Sequence, residues 1–423
     1  MFLTVNKFLN KNIINIFFFL VFMNYFSYFL FKEKLFFIFF GILIVGIFIF
    51  ILLKHFQKNK LLISVLLLLC FISLSSPVSD WDGRSIWLFN AKIIFYVDNL
   101  KDFFSYSPYY SKPDYSIFVP ILSATIAKLI GVWNEILPKI SHFILAVPPI
   151  ILLTKNFNKK ISLFIFIILI LFVYEKRIIN GEVDVILSLY SISLISLLSK
   201  LVNDKDHLLA DYTLILFHVI FLTLLKMEGL ALAFCIFVSF YIINLKSNKN
   251  LSMKLFFIFV LGYIPIFLWI LYAKNAGAAG GGIEISTVEK MMSGGQRFFE
   301  NLFNFKFILY LISKIIINKQ MLISLIIFLF VLSKYFYFNE NKKELTIQNN
   351  LLKNNMLLCY LSIISYTFVM ITIMIMVEGT PNDIQIQFWQ ATTASNRYFL
   401  PVHSMLILCA IYLIESKKVN GLK

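Results

Sequence analysis

Two acids, Asp80 and Asp82, stand in the stretch SDWDGRSIWLFNAKII, Ser79 to Ile94, among Trp81, Arg84, Trp87, Asn90 and Lys92. A carboxylate within reach of a hydroxyl can take its proton as a general base, and Asp82 is the candidate for that role. The competing reading makes Asp82 the cap of a helix starting near Gly83, since Ile86, Phe89 and Ile93 follow at helical spacing. The two readings are compatible. Asp80 and Asp82 share a face only if the backbone is extended. With one more oxygen ligand they could then hold a divalent cation, although two acids alone are a thin metal signal. Arg84 offers a planar fork and Lys92 a point charge, both suited to a phosphate, or else the pair snorkels at an interface. Trp81, Trp87 and Tyr96 either stack on a sugar or belong to an interfacial aromatic belt.

Further polar residues recur in short motifs. Asp114 lies between Pro113 and Tyr115 in KPDYS, a turn sequence. Gly181 and Asp184 sit in a second turn. Lys226, Glu228 and Gly229 form a very tight one, in which Lys226 and Glu228 can pair with each other. Arg397 follows a polar segment with Gln387, Trp389, Gln390 and Asn396; it can hold a phosphate or anchor a helix end. Gly277 to Gly282, reading GAAGGG, argues for a mobile loop. The four cysteines, Cys70, Cys235, Cys359 and Cys409, all lie in apolar runs without a CxxC pair, which points to packing. The five histidines show no ligand spacing.

These residues are rare. Of the 423 residues 60% are hydrophobic and only 14% charged, which excludes a soluble globular class. The apolar runs are continuous, so the expected architecture is all-α and polytopic, without a β-barrel. The formal charge of +16 reads as topology, because the lysines fall mostly between spans; a minor part can serve anionic lipid, and no nucleic-acid partner is implied. Ile13 to Phe31 reads as a retained first span, since no small-residue cleavage site follows it. Continuing by charge bias gives about twelve spans in a single membrane domain with both termini inside. Ile117 to Val132 and Phe303 to Ile317 are assigned as interfacial helices. In this scheme Asp80, Asp82, Asp114, Asp184, Lys226, Glu228 and Arg397 all fall on the outer face.

The motifs and their order resemble the GT-C class of membrane glycosyltransferases, in particular the dolichyl-phosphate-mannose-protein mannosyltransferase relatives and RgtA/B/C/D-like transferases. An acidic motif opening the first large outer loop is matched by Asp82 in WDGRSIW. A HPDYP-type motif is matched by KPDYSIFVP, Lys112 to Pro120. Gly181 and Asp184, the turn Lys226–Glu228–Gly229 and the late Arg397 match three more. The resemblance runs from about Leu61 to Tyr398, so residues 1–60 form two added helices before a core at 61–417. Gly83 departs from the pattern of paired acids, and Asp80 or Asp114 is left to supply the second carboxylate.

The resemblance implies transfer of a sugar from a polyprenyl-phosphate donor to a glycan, lipid or protein acceptor, at the outer face of the cytoplasmic (inner) membrane. It implies an inverting displacement with Asp82 as base, helped by Asp114 or Asp80. Arg397, with Arg84, Lys92 or Lys226, would steady the leaving phosphate. Trp81, Trp87, Asn90, Tyr115, Asp184 and Glu228 would line the substrates. No cofactor is required, although a divalent cation is compatible. Two other readings remain open: a transporter or flippase for a lipid-linked sugar, and a polysaccharide polymerase or ligase.

Overall fold

An apolar segment in lipid must satisfy its own backbone, and a helix does so internally. In the computed structural model all regular structure among the described residues is helical. The structure describes residues 2–30, 34–78, 80–97, 100–108, 111–113, 115–155, 160–178, 180–203, 209–245, 248–276, 278, 296, 298–306, 308–309, 313, 318–339, 347–377 and 397–416.

In chain order the helices are α1 (Phe2–Leu30), α2 (Lys34–Phe56) and α3 (Lys60–Ser75), then a π-helical turn (Gly83–Trp87) leading into α4 (Leu88–Tyr96). Next come α5 (Leu100–Tyr106), α6 (Phe118–Ile130), α7 (Ile140–Lys155) and α8 (Lys160–Ile168). The remainder are α9 (Asp184–Asn203), α10 (Leu209–Leu225), α11 (Glu228–Asn244), α12 (Lys249–Asn275), α13 (Lys319–Asn339), α14 (Ile347–Val377) and α15 (Leu400–Ser416).

Among the described residues six stretches are long and apolar enough to cross a bilayer: Asn12–Leu30, Leu35–Phe56, Leu137–Lys155, Asp184–Val202, Lys249–Asn275 and Asn354–Ile375. This is a helical membrane protein. Other apolar helices among the described residues are shorter, such as Leu209–Leu225 and Glu228–Asn244. At 1.5 Å per residue, about 17 residues cover roughly 25 Å, less than a hydrocarbon core of about 30 Å. Among the described residues length and apolarity alone thus mark six candidate crossings, and the count of about twelve rests on the shorter apolar helices as well.

α9 is the axis of the molecule, with every residue from Asn180 to Ser199 buried. α7 and α15 pack against it and are nearly as enclosed. α2 and α12 lie outermost and turn Phe39, Ile42, Ile49, Phe257, Val260 and Phe267 outward, as a lipid-facing surface requires.

The run from Phe118 to Lys128, assigned to an interface, is buried throughout, because α1, α2, α4, α7 and α10 surround α6. The helices of residues 1–60 pack into the same body. Phe18 of α1 packs at 5.4 Å from the His218 ring and 5.2 Å from Phe221, and Asn24 donates to Thr125 Oγ1 at 3.0 Å. Asn15 donates to the Ala210 carbonyl at 3.0 Å. One continuous hydrophobic core extends from Ile14 to Leu413. Most of the run 303–317, the glycine-rich loop 277–282 except Ala278, and the segment 378–396 lie outside the described residues.

Candidate functional site

The π-helical turn is held by the acid that precedes it. Asp80 Oδ2 accepts from the backbone N–H groups of Asp82 at 3.0 Å and Gly83 at 3.2 Å. Asp80 is thus the capping residue, and Asp82, expected as the alternative cap, makes no side-chain cap bond. That geometry leaves the Asp82 carboxylate available to distant partners. Lys139, buried beside this region, donates to the carbonyls of Ser73 and Ser76 at the end of α3. A cation there meets the orphan carbonyls and negative end of the helix, and it fixes the chain just before Asp80.

Gly83 explains its own departure from the expected motif. A Cβ at this position would stand 2.8 Å from the Asn180 carbonyl oxygen and 2.8 Å from Val78 Cγ1. The absent side chain lets the π-helical turn press against the turn that enters α9. Gly83→Ala must push the two apart; a destabilisation of about 1–3 kcal/mol is expected, read as an earlier unfolding transition in detergent. An unchanged transition would show that the contact is slack.

Gly229 plays the same part for the Lys226 turn. A Cβ there would lie 1.8 Å from the Leu222 carbonyl oxygen, so α11 begins hard against the end of α10. Lys226 is thereby brought to the start of α9. Asp184 opens α9, where a negative charge also suits the helix N-terminus.

Charges distant in sequence meet here. Arg397, just ahead of α15, donates from Nη2 to Asp82 Oδ2 and, at 3.0 Å, to Asp184 Oδ2. Its Nε reaches the same Asp184 oxygen at 3.2 Å. Lys226 Nζ donates to the other oxygen, Asp184 Oδ1, at 2.8 Å, and lies 3.5 Å from Glu228 Oε1 and 5.1 Å from the Tyr398 ring centre. Burial works against the Lys226 charge, but Asp184 and Glu228 outweigh it and hold the ammonium well above the usual lysine range.

The network has a floor and an open edge. Side-chain exposure is 3% for Asp184 and 2% for Lys226, against 13% for Asp82 and 24% for Arg397. A ligand therefore meets Arg397 and Asp82 first. Three carboxylates, Asp82, Asp184 and Glu228, share two cations, so an incoming anion must compete with Asp82 for Arg397.

The other sequence candidates fall differently. Trp87, expected to line substrate, is 1% exposed and packs 6.2 Å from the Tyr115 ring, because the helix buries that face. Asn90 is buried too and donates to the Ser111 carbonyl at 2.9 Å, fastening the KPDYS segment to α4. Within that segment Lys112 adopts φ 50°, a costly conformation for a side-chain-bearing residue. Asp114 lies outside the described residues. Arg84, Lys92 and Trp81 are exposed and do not enter the network. Lys226, expected at the donor phosphate, is enclosed by carboxylates and acts as their counter-ion.

Sequence reading assigned no role to Glu182, which is buried 3.8 Å from Arg177 Nε. Its only sequence signal was a second acid in the Asp184 turn. Among the described residues no three His, Cys, Asp or Glu side chains converge as a metal site. Comparisons with protein-family models, curated proteins and solved structures find no match.

Proposed function

We propose that the protein transfers a sugar from a polyprenyl-phosphate-sugar donor to a glycan, lipid or protein acceptor at the extracytoplasmic face, as a GT-C-like enzyme. The observation that supports this is the Arg397 bridge, which joins Asp82 and Asp184 over 315 and 213 residues of chain. These are the residues singled out by the ordered motifs, and they share one site with the Lys226–Glu228 turn.

In this reaction the acceptor hydroxyl oxygen attacks the anomeric carbon. The new glycosidic bond forms as the carbon–oxygen bond to phosphate breaks, the hydroxyl proton passes to Asp82, and polyprenyl phosphate leaves beside Arg397. A carboxylate bound to a guanidinium is a poor base. A donor phosphate at the open edge competes for that guanidinium, and so frees Asp82 when the donor is seated. Asp184, on the buried side, keeps Arg397 in place.

The test supplies polyprenyl-phosphate sugars and acceptors to purified protein and scores glycan transfer. Asp82→Asn is expected to lower turnover by roughly 10²- to 10⁴-fold while the fold persists. A wild-type rate would remove Asp82 as the base. Labelling of cysteines introduced beside Asp82 and Arg397 must occur from outside; labelling from the cytoplasm would sink the outer-face assignment.

One observation favours a second reading. The Asp184–Lys226 pair is almost fully enclosed among helices, as ion-coupled transporters arrange theirs. Movement of lipid-linked sugar across vesicles without any glycan product would favour a flippase, and extended polymer would favour a polymerase or ligase.

A further inference from the structure

Beneath the turn that enters α9 is a cavity of about 10 Å³, lined by His142, Ala146, Ile178, Glu182 and Ile186 among others. Roughly 10–15 Å³ on this measure holds one water, provided that it finds two or more polar partners. His142 Nε2 and Glu182 Oε2 supply them. Both atoms are buried without a hydrogen bond of ordinary geometry, on residues only 4% and 6% exposed; Glu182 Oε2 has Arg177 Nε at 3.8 Å, and the His142 ring faces the Gly181 and Lys139 backbone. One water in the cavity would complete the hydrogen bonding of both.

The far side of His142 continues the chain. Its Nδ1 lies 3.3 Å from Ser141 Oγ, and Ser141 Oγ lies 2.6 Å from Ser123 Oγ on α6. We propose that the cavity binds a single water joining His142 Nε2 to Glu182 Oε2. Glu182, paired with Arg177, is then the proton-carrying end of a polar chain that starts at Ser123 of α6. The inference stands apart from sugar transfer, because none of its readouts requires turnover.

Electrostatics support Glu182 as that end. It is faced by Arg177 from the turn Glu175–Ile178, by Asp184 of α9, by Asp80, by Arg397 and, across the cavity, by His142 of α7. Burial first and the Asp184 charge second push its carboxyl up to about 7, against the pull of Arg177 and Arg397. The folded chain thus binds this proton more tightly than the unfolded chain. The associated stability is full below the ordinary carboxylate range and is lost as pH rises through about 7.

Infrared difference spectra of the full chain in lipid nanodiscs, titrated across neutrality in ordinary and oxygen-18 water, test this. A neutral-carboxyl band is expected to vanish near pH 7 and to be missing in Glu182→Gln. A water O–H band that shifts in oxygen-18 water should titrate with it. His142→Phe, which fills the cavity, should abolish the water band and raise the carboxyl midpoint by about one unit, a tenfold change in proton affinity. Glu182→Gln should also flatten the fall in unfolding temperature across neutrality. A carboxyl band that survives Glu182→Gln overturns the proposal, as does a wild-type protein with no isotope-sensitive water band; the latter decides even if a variant does not fold.

Discussion

Arg397→Gln is expected to destabilise the fold by about 3–5 kcal/mol, the cost of leaving a buried ionic partner uncompensated. The guanidinium holds Asp82 with one nitrogen and Asp184 with two, so its loss takes the cation from Asp82 and leaves Asp184 with Lys226 alone. Denaturant or thermal unfolding in detergent reads the loss directly. Arg397→Lys is not a conservative rescue. An ammonium is a point charge without the planar fork that spans both acids. In the transfer assay both variants are expected to lose on the order of 10²-fold or more, because the charge on the leaving phosphate is no longer met. Wild-type stability and turnover in Arg397→Lys would show that the bridge is incidental.

The second large effect belongs to the floor of the site. Asp184→Asn removes the charge that faces both Lys226 and Arg397 and replaces one of its two acceptor oxygens by an amide donor, whereas Lys226→Met removes one donor and leaves Asp184 paired with Arg397. Both changes should cost several kcal/mol, about 3–5 for a broken buried pair, with Asp184→Asn the worse. The double variant should cost less than the two together, since a neutral methionine facing a neutral amide strands no opposing charge. A coupling of about 0.5–3 kcal/mol in the double-mutant cycle is the expected result. Additive losses would mean that the two side chains do not depend on each other.

Much of the site could be read before any coordinates. Charge bias and motif order grouped Asp82, Asp184, Lys226, Glu228 and Arg397 on one face, and the structure joins all five in one network. What stayed hidden depended on packing. Trp87 looks the same in sequence whether it faces substrate or core; only the docking of α6 and Tyr115 decides. Asp80 and Asp82 are equal as letters, and the backbone path alone makes the first a cap and the second a partner for Arg397. Gly83 resembled a missing acid, because a demand for empty space beside Asn180 leaves no mark in a single sequence. The fold was legible at the level of helical membrane segments. The enclosure of α6 was not, since it follows from α1 and α2 folding back over it.

That folding back has a consequence for how the chain is made. α1 leaves the ribosome before α6 and α10, yet Asn24 bonds Thr125 and Asn15 bonds Ala210, 101 and 195 residues later. At about 5–20 residues per second, the last of these partners arrives roughly 10–40 s after the first helix. Until α6 emerges both amides wait without these partners, and Asn15 waits on until α10. α1 is therefore fully seated only after the later α10, and the interval before α10 is complete is when an insertase or chaperone has most to protect.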